Sequence, residues 1–423
     1  MLDLIIRNAK LTQKSELVDI AIKNGKFRSI KPNVDLESKK TIDARGHLVI
    51  PPFIESHVHL DSALTAGNPH FNKSGTLLEG IDIWSEYKEA ATREDIKQSA
   101  RKTIHWLIAN GVLKIRTHTD TTIDSLITIE AMVELREEFK DEVDIQIVAF
   151  PQDGIFAYPD MDELLVEAIK MGADVIGGMP QAEFTREDGI RSIEYIFDLA
   201  EKYGKLIDIH TDETGDEHSR FLEVIAKHTL ERNMSGRVTA SHTTAMHNYN
   251  NDYVAKLIGL IKRAGIHIVT NPFSNTLLQN RLDGYPRKRG HTRIDELLKQ
   301  NINVSVGNDN IMDPFNPLGK GSLLQALHLL VHTAHLNGEE EIDELLDLIT
   351  YNGAKTLHIQ DDYGIEENKQ ADCLILNATS VKDAIRLTSE CLYVIRKGNI
   401  ISETTPPHHK LFIQDDEKTI DFN

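Results

Sequence analysis

The feature that most limits what this chain can fold into is a rhythm repeated eight times between residues 53 and 310. Short β-branched runs end in polar residues, and after each comes a stretch with apolar residues at helical spacing. The runs are Phe53–Leu60, Val112–Asp120, Ile145–Pro151, Val175–Pro180, Leu206–Glu213, Val238–Thr244, His267–Phe273 and Asn303–Asn310. Between them lie amphipathic segments such as EDIKQSARKTIHWLIANG and IRSIEYIFDLAEKYG, each closed by glycine as helices commonly are. Strand–helix alternation predicts an α/β fold, and eight such units predict a closed (β/α)8 TIM barrel rather than an open sheet. The polar residues fall at the C-terminal end of nearly every run, the rim where barrel enzymes place their chemistry.

The two ends read differently. LIIRNAKLT, VDIAIKNGKFRSI and Gly46–Ile50 alternate apolar and polar residues around NG and RG turns, as do ADCLILNA, CLYVIRKGNIISE and KLFIQD near the C-terminus. Neither end has enough strands for its own core. A chain of 423 residues exceeds what one core normally serves. We expect residues 1–50 and 362–423 to pair as a small β-sandwich, with the catalytic barrel spanning 51–361.

Charge narrows the partners. The net charge is -19 with no basic stretch long enough to track a phosphate backbone, which argues against nucleic acid and anionic membranes. Aromatic residues total 6%, and none stand in basic stretches as a stacking platform would need. Cys373 and Cys391 lack CxxC spacing, so neither a disulfide framework nor a thiolate metal site is indicated. No run approaches the roughly 18 apolar residues of a membrane span, and the opening MLDLIIRNAK does not read as a signal peptide. A cytoplasmic protein is expected.

His57 and His59 stand two apart on a predicted strand, so both rings leave the same face, into the barrel mouth. His210 ends the fifth run and Asp309 the eighth. Together they make a three-His, one-carboxylate set that suits one Zn²⁺ or Fe²⁺ and leaves room for water. The fourth run, VIGGMP, has no lysine that could bridge two metals as a carbamate, which favours a single metal and, with it, deamination. Glu213, three residues past His210, is placed to protonate a ring nitrogen, and His242, ending the sixth run, to steady the attacking hydroxide and shuttle protons. The alternatives are a surface glutamate opening a helix and a core histidine. Gln152 offers a donor and an acceptor on one planar amide. Leu77, Phe184 and Phe315 are candidate walls for a flat ring, or else core. His118 is a further possible ligand, ranked behind the four.

These residues lie in stretches that resemble bacterial cytosine deaminases of the amidohydrolase superfamily along essentially the whole chain. The likeness is carried by PPFIESHVHLDSALTAGNP, SGTLLEGI, IQIVAFPQDGI, EFTREDG, IDIHTDETGDEHSRF, RVTASHTTAMHNYN and GNDNIMDPFNPLG. It implies metal ligands at His57, His59, His210 and Asp309, an acid–base glutamate at Glu213, a hydroxide-orienting histidine at His242 and a pyrimidine-reading glutamine at Gln152. It also implies a homo-oligomer acting on a small heterocycle. In the cytosine-specific pattern the metal aspartate is followed by a second aspartate; here that position is Asn310, and Phe315 replaces a tryptophan. The Asp-Asn pair is similar to that of N-isopropylammelide amidohydrolases, which makes Asn310 a candidate substrate reader. The expected reaction is hydrolysis of cytosine to uracil and ammonia. The alternative is the same chemistry on isocytosine, creatinine or an s-triazine. Nucleoside deamination and a non-catalytic scaffold stand further off.

Overall fold

A computed structural model describes residues 1–12, 15–413, 416–420 and 422. The eight runs form eight parallel strands: β1 Phe53–Val58, β2 Val112–Asp120, β3 Asp144–Phe150, β4 Val175–Gly178, β5 Leu206–Thr211, β6 Val238–His242, β7 His267–Thr270 and β8 Val304–Val306. Each pairs in parallel with the next in sequence. The ring closes through a parallel bridge between Val58 and Asp309. Asp309 N donates to His57 O at 2.8 Å and His59 N to Asp309 O at 2.9 Å. Gly307 permits this closure: a Cβ there would lie 2.6 Å from the His57 carbonyl oxygen.

Both faces of a barrel strand are covered, which is why the runs are nearly continuously apolar until their polar ends. Helices on the outside follow from the amphipathic segments. Arg93–Ala109 starts at a capping box made by Thr92 and Asp95, and Arg186–Tyr203 stops at Gly204, whose φ of +66° is left-handed. Their apolar stripes join the strands in one large core that includes Ile104, Leu107, Ile193 and Phe197. Several expected strands, those ending at Leu60, Thr244, Phe273 and Asn310, stop short of those residues. The chain turns at the rim instead: His242, Thr243 and Asp309 have φ of 68°, 49° and 63°. Left-handed backbone at non-glycine residues is strained by roughly 1–3 kcal/mol and collects where function demands a particular side-chain aim.

The termini build two sheets. Leu2–Ala9, Val18–Lys23, Lys26–Lys31 and Ser38–Asp43 form one; Cys373–Leu376, Cys391–Arg396, Asn399–Glu403 and Val49–Ile50 form the other. Leu4, Ile6, Ile20 and Phe27 of the first pack with Cys373, Ile375 and Ile395 of the second, so the ends meet as two layers of a small sandwich. Residues 410–413 of KLFIQD lie outside it, and the last two residues of that run are not among the described residues. Among the described residues His409–Ile413 pairs only with Asp416–Ile420, as a separate antiparallel pair, with Phe412 75% exposed. Pro406 and Pro407, which lack the N–H a ladder needs, break the chain just before it. Among the described residues no helix is long and apolar enough to cross a membrane.

Candidate active site

Strand geometry brings the four expected ligands together. His57 lies on β1 and His59 just beyond it, His210 on β5, and Asp309 at the turn after β8. All four are buried, and one ligand atom from each lies within 4.8 Å of the others. Asp309 Oδ1 is 3.4 Å from His57 Nε2 and 3.3 Å from His59 Nε2, while the Nε2 atoms of His59 and His210 are 3.3 Å apart. Ligands at about 2.0–2.1 Å around a tetrahedral ion are separated by roughly 3.3–3.4 Å. His57 Nε2, fully buried, has no hydrogen-bond partner among the described residues. Burial and the neighbouring rings hold His210 well below the usual imidazole range, so it offers a lone pair. The donor set therefore fits a divalent metal. His118 stacks on His57 at 3.8 Å between ring centroids, outside the foursome.

Glu213 and His242 stand beside the foursome. Asp212, with φ of 50°, turns the chain after β5, and its carboxylate accepts from Phe221 N, Leu222 N and the Ser219 hydroxyl. That anchor aims Glu213 inward. Burial, reinforced by the negative charge of Asp309, raises the Glu213 carboxyl well above its usual range, so it keeps its proton. Gln279 Nε2 donates to Glu213 Oε1 at 3.3 Å. His242 Nδ1 is 3.5 Å from the same oxygen and 4.0 Å from Asp309 Oδ2, and Asn275 Nδ2 lies 2.9 Å from it. Burial lowers the His242 pKa to about 3, so the ring is neutral. Burial opposes ionisation of Asp309, but the surrounding imidazoles outweigh it and hold that carboxyl well below its usual range.

The expected substrate residues separate. Gln152 is buried on the turn after β3, and among the described residues the one hydrogen bond of its side chain goes to the weak acceptor Met179 Sδ, at 3.7 Å. Leu77 and Phe315 meet over the mouth with Trp84, Tyr87 and Leu278; Phe315 lies so close over Gly80 that a Cβ there would meet it at 2.6 Å. Phe184 is not brought to this cluster. It is 71% exposed and packs edge-on against Tyr158, because its neighbour Glu183 turns inward to accept from Ile155 N and Phe156 N. Asn310 is buried with both ends of its amide engaged: Ser274 Oγ donates to Oδ1 at 2.9 Å, and Nδ2 donates to Asp313 Oδ2 at 2.7 Å. One Nδ2 hydrogen and one Oδ1 lone pair are left, so Asn310 can still offer either a donor or an acceptor.

Sequence reasoning passed over Lys88. It lies on the helix Leu77–Ala90, fully inside, with Nζ donating to Asp120 Oδ2 at 2.8 Å, Thr122 Oγ1 at 2.9 Å and Asp153 Oδ2 at 3.1 Å. The helix over the mouth is thereby tied to β2 and to the residue after Gln152. A lysine in an amphipathic helix gives no sequence signal of burial.

A barrel whose C-terminal rim converges three imidazoles and a carboxylate on one point, with a proton-holding carboxyl alongside, is built to hydrolyse. The chain belongs to the amidohydrolase family, whose model matches residues 40–402, and is a hydrolase acting on C–N bonds. It is 33% identical to N-isopropylammelide isopropyl amidohydrolase of Pseudomonas sp. (strain ADP), over 94% of this chain and 97% of that one. Pterin deaminase of Rhizobium rhizogenes is 29% identical over 93% of this chain and 90% of its own. The crystal structure of 5-methylcytosine deaminase from Klebsiella pneumoniae liganded with 5-fluorocytosine superposes with a TM-score of 0.93 at 43% identity, covering 96% of this chain and 99% of that one.

Proposed function

We propose that this chain removes the exocyclic amine of a 4-aminopyrimidine, cytosine or its 5-methyl derivative, to give the 4-oxo ring and ammonia. The observation that supports it most is the placement of a protonated Glu213 beside Asp309 and His242, in a chain 43% identical to a 5-methylcytosine deaminase. A divalent metal, Zn²⁺ or Fe²⁺ at one per chain, held by His57, His59, His210 and Asp309, would supply the Lewis acid that makes water nucleophilic near neutral pH.

The protein's own groups handle the protons. As the water oxygen adds to C4, Asp309 Oδ2 and His242 take up the proton it sheds. Glu213 gives its carboxyl proton to N3, which turns the ring into a tetrahedral adduct without building charge on it. The proton held by Asp309 and His242 passes to the exocyclic nitrogen, the hydroxyl now on C4 returns its proton to Glu213, the C–N bond breaks, and ammonia leaves as the C4 carbonyl forms. Gln152 reads the ring's C2 carbonyl and adjacent N–H with one amide, and Leu77 with Phe315 closes the mouth against water. Asn310 offers its remaining N–H to an acceptor on the substrate.

The Asn310 donor also favours a second reading, an aminotriazine, whose extra ring nitrogen is an acceptor. The test is ammonia release from cytosine, 5-methylcytosine, isocytosine, creatinine and N-isopropylammelide, compared by kcat/KM. Cytosine or 5-methylcytosine should lead; a lead by the triazine would move the assignment to that ring.

A further inference from the structure

Beneath the ligand set runs a chain of fully buried polar groups that the reaction does not use. His57 Nδ1 lies 3.1 Å from Ser241 Oγ, and Ser241 Oγ donates to Asp208 Oδ1 at 2.7 Å. Asp208 Oδ2 accepts from Arg116 Nη1 at 2.9 Å. Arg116 has the rest of its fork occupied by Gln146 Oε1, Thr239 Oγ1 and the Thr356 carbonyl. Arg116, Asp208, Ser241 and His57 each sit on a different strand and are 0% exposed.

The direction of the hydrogen bonds follows from their inventory. Asp208, paired with a guanidinium, only accepts, so the single hydroxyl proton of Ser241 goes to it. Ser241 can then only accept from His57, which places a proton on His57 Nδ1 and makes Nε2 the nitrogen turned toward the other expected ligands. Nε2 lies 3.4 Å from Asp309 Oδ1, the spacing of two ligands on one tetrahedral ion.

Resting on the metal reading above, we propose that Arg116, Asp208 and Ser241 are positioning residues that lock His57 in its metal-ready tautomer and so set the affinity of the site. Asp208 and His118 could with His57 form a second ligand group, but Arg116 already neutralises Asp208 and makes it an anchor instead.

The test is zinc affinity, read by competition with a chromophoric chelator on the purified chain and on Ser241→Ala and Asp208→Asn. Ser241→Ala removes one oxygen and leaves the packing, and folding is checked by circular dichroism. Outer-shell partners of ligating histidines are worth about 10- to 100-fold in affinity, so both variants should bind zinc that much more weakly. With zinc at saturation, Ser241→Ala should regain kcat within a few-fold of the parent. Affinity within twofold of the parent for a folded Ser241→Ala overturns the relay. A parent chain that binds no zinc overturns the metal reading, and the relay with it.

Discussion

Asp309 and His57 are joined twice: the Asp309 amide donates to the His57 carbonyl at 2.8 Å, and the Asp309 carboxylate stands 3.4 Å from His57 Nε2. The first contact closes the barrel between β8 and β1, and the second closes the ligand set. Barrel closure and the convergence of His57, His59, His210 and Asp309 are therefore one structural event, which explains why these side chains can be so widely separated in sequence and still meet.

Because the backbone half of that contact does not need the carboxylate charge, Asp309→Asn should fold while losing metal. Affinity should fall at least roughly 100-fold, more than for an outer-shell change. Elemental analysis after gel filtration checks it; a variant with full metal content would remove Asp309 from the ligand set.

Glu213→Gln keeps the size and planarity of the side chain and removes only the transferable proton. It should retain metal and lose at least about 10²-fold in kcat, the usual scale for a general acid–base. Near-normal turnover would give the proton to another group, His242 being nearest.

Asn310→Asp places a carboxylate against Asp313, whose own pKa burial already raises to about 6. Two carboxylates at that distance share one proton, so the folded-state pKa of the pair rises further above its unfolded value. A raised pKa gives stability that is present at low pH and lost as pH rises through it. The Tm deficit of Asn310→Asp relative to the parent should therefore be small near pH 5 and grow toward pH 8. Preference among ring substrates should shift by roughly 5- to 150-fold, the scale of about 1–3 kcal/mol for a mispaired polar group. A pH-independent deficit with an unchanged substrate ranking would make Asn310 a bystander.

Lys88→Met leaves the buried Asp120 and the half-buried Asp153 without their cation. Breaking such a pair typically costs about 3–5 kcal/mol, and the denaturant midpoint should fall accordingly. An unchanged midpoint would mean that water or Trp84, which donates to Asp120 at 2.8 Å, carries the charge alone.

The barrel was legible because its strands are apolar and end in polar residues, and His57, His59, His210 and Asp309 were legible because short motifs place them at those ends. What lay hidden depended on contacts between distant strands. Ser241 looks like a neighbour of His242, and Arg116 and Lys88 look like solvent-facing cations, until the folded chain surrounds them. Phe184 misled for the opposite reason: its aromatic ring suggested a wall, but the inward turn of Glu183 sends it to the surface. The C-terminal strands were recognisable as strands, whereas their partner was not, since a hairpin and a sandwich edge share one alternating pattern.

The proposed deamination requires one metal, held by His57, His59, His210 and Asp309 where the barrel closes. Its most direct measurement is ammonia release from cytosine and 5-methylcytosine as metal is titrated into chelator-stripped protein. Turnover should rise in proportion to metal and level off at one equivalent per chain. Turnover by metal-free protein, or a plateau reached only at two equivalents, would contradict it.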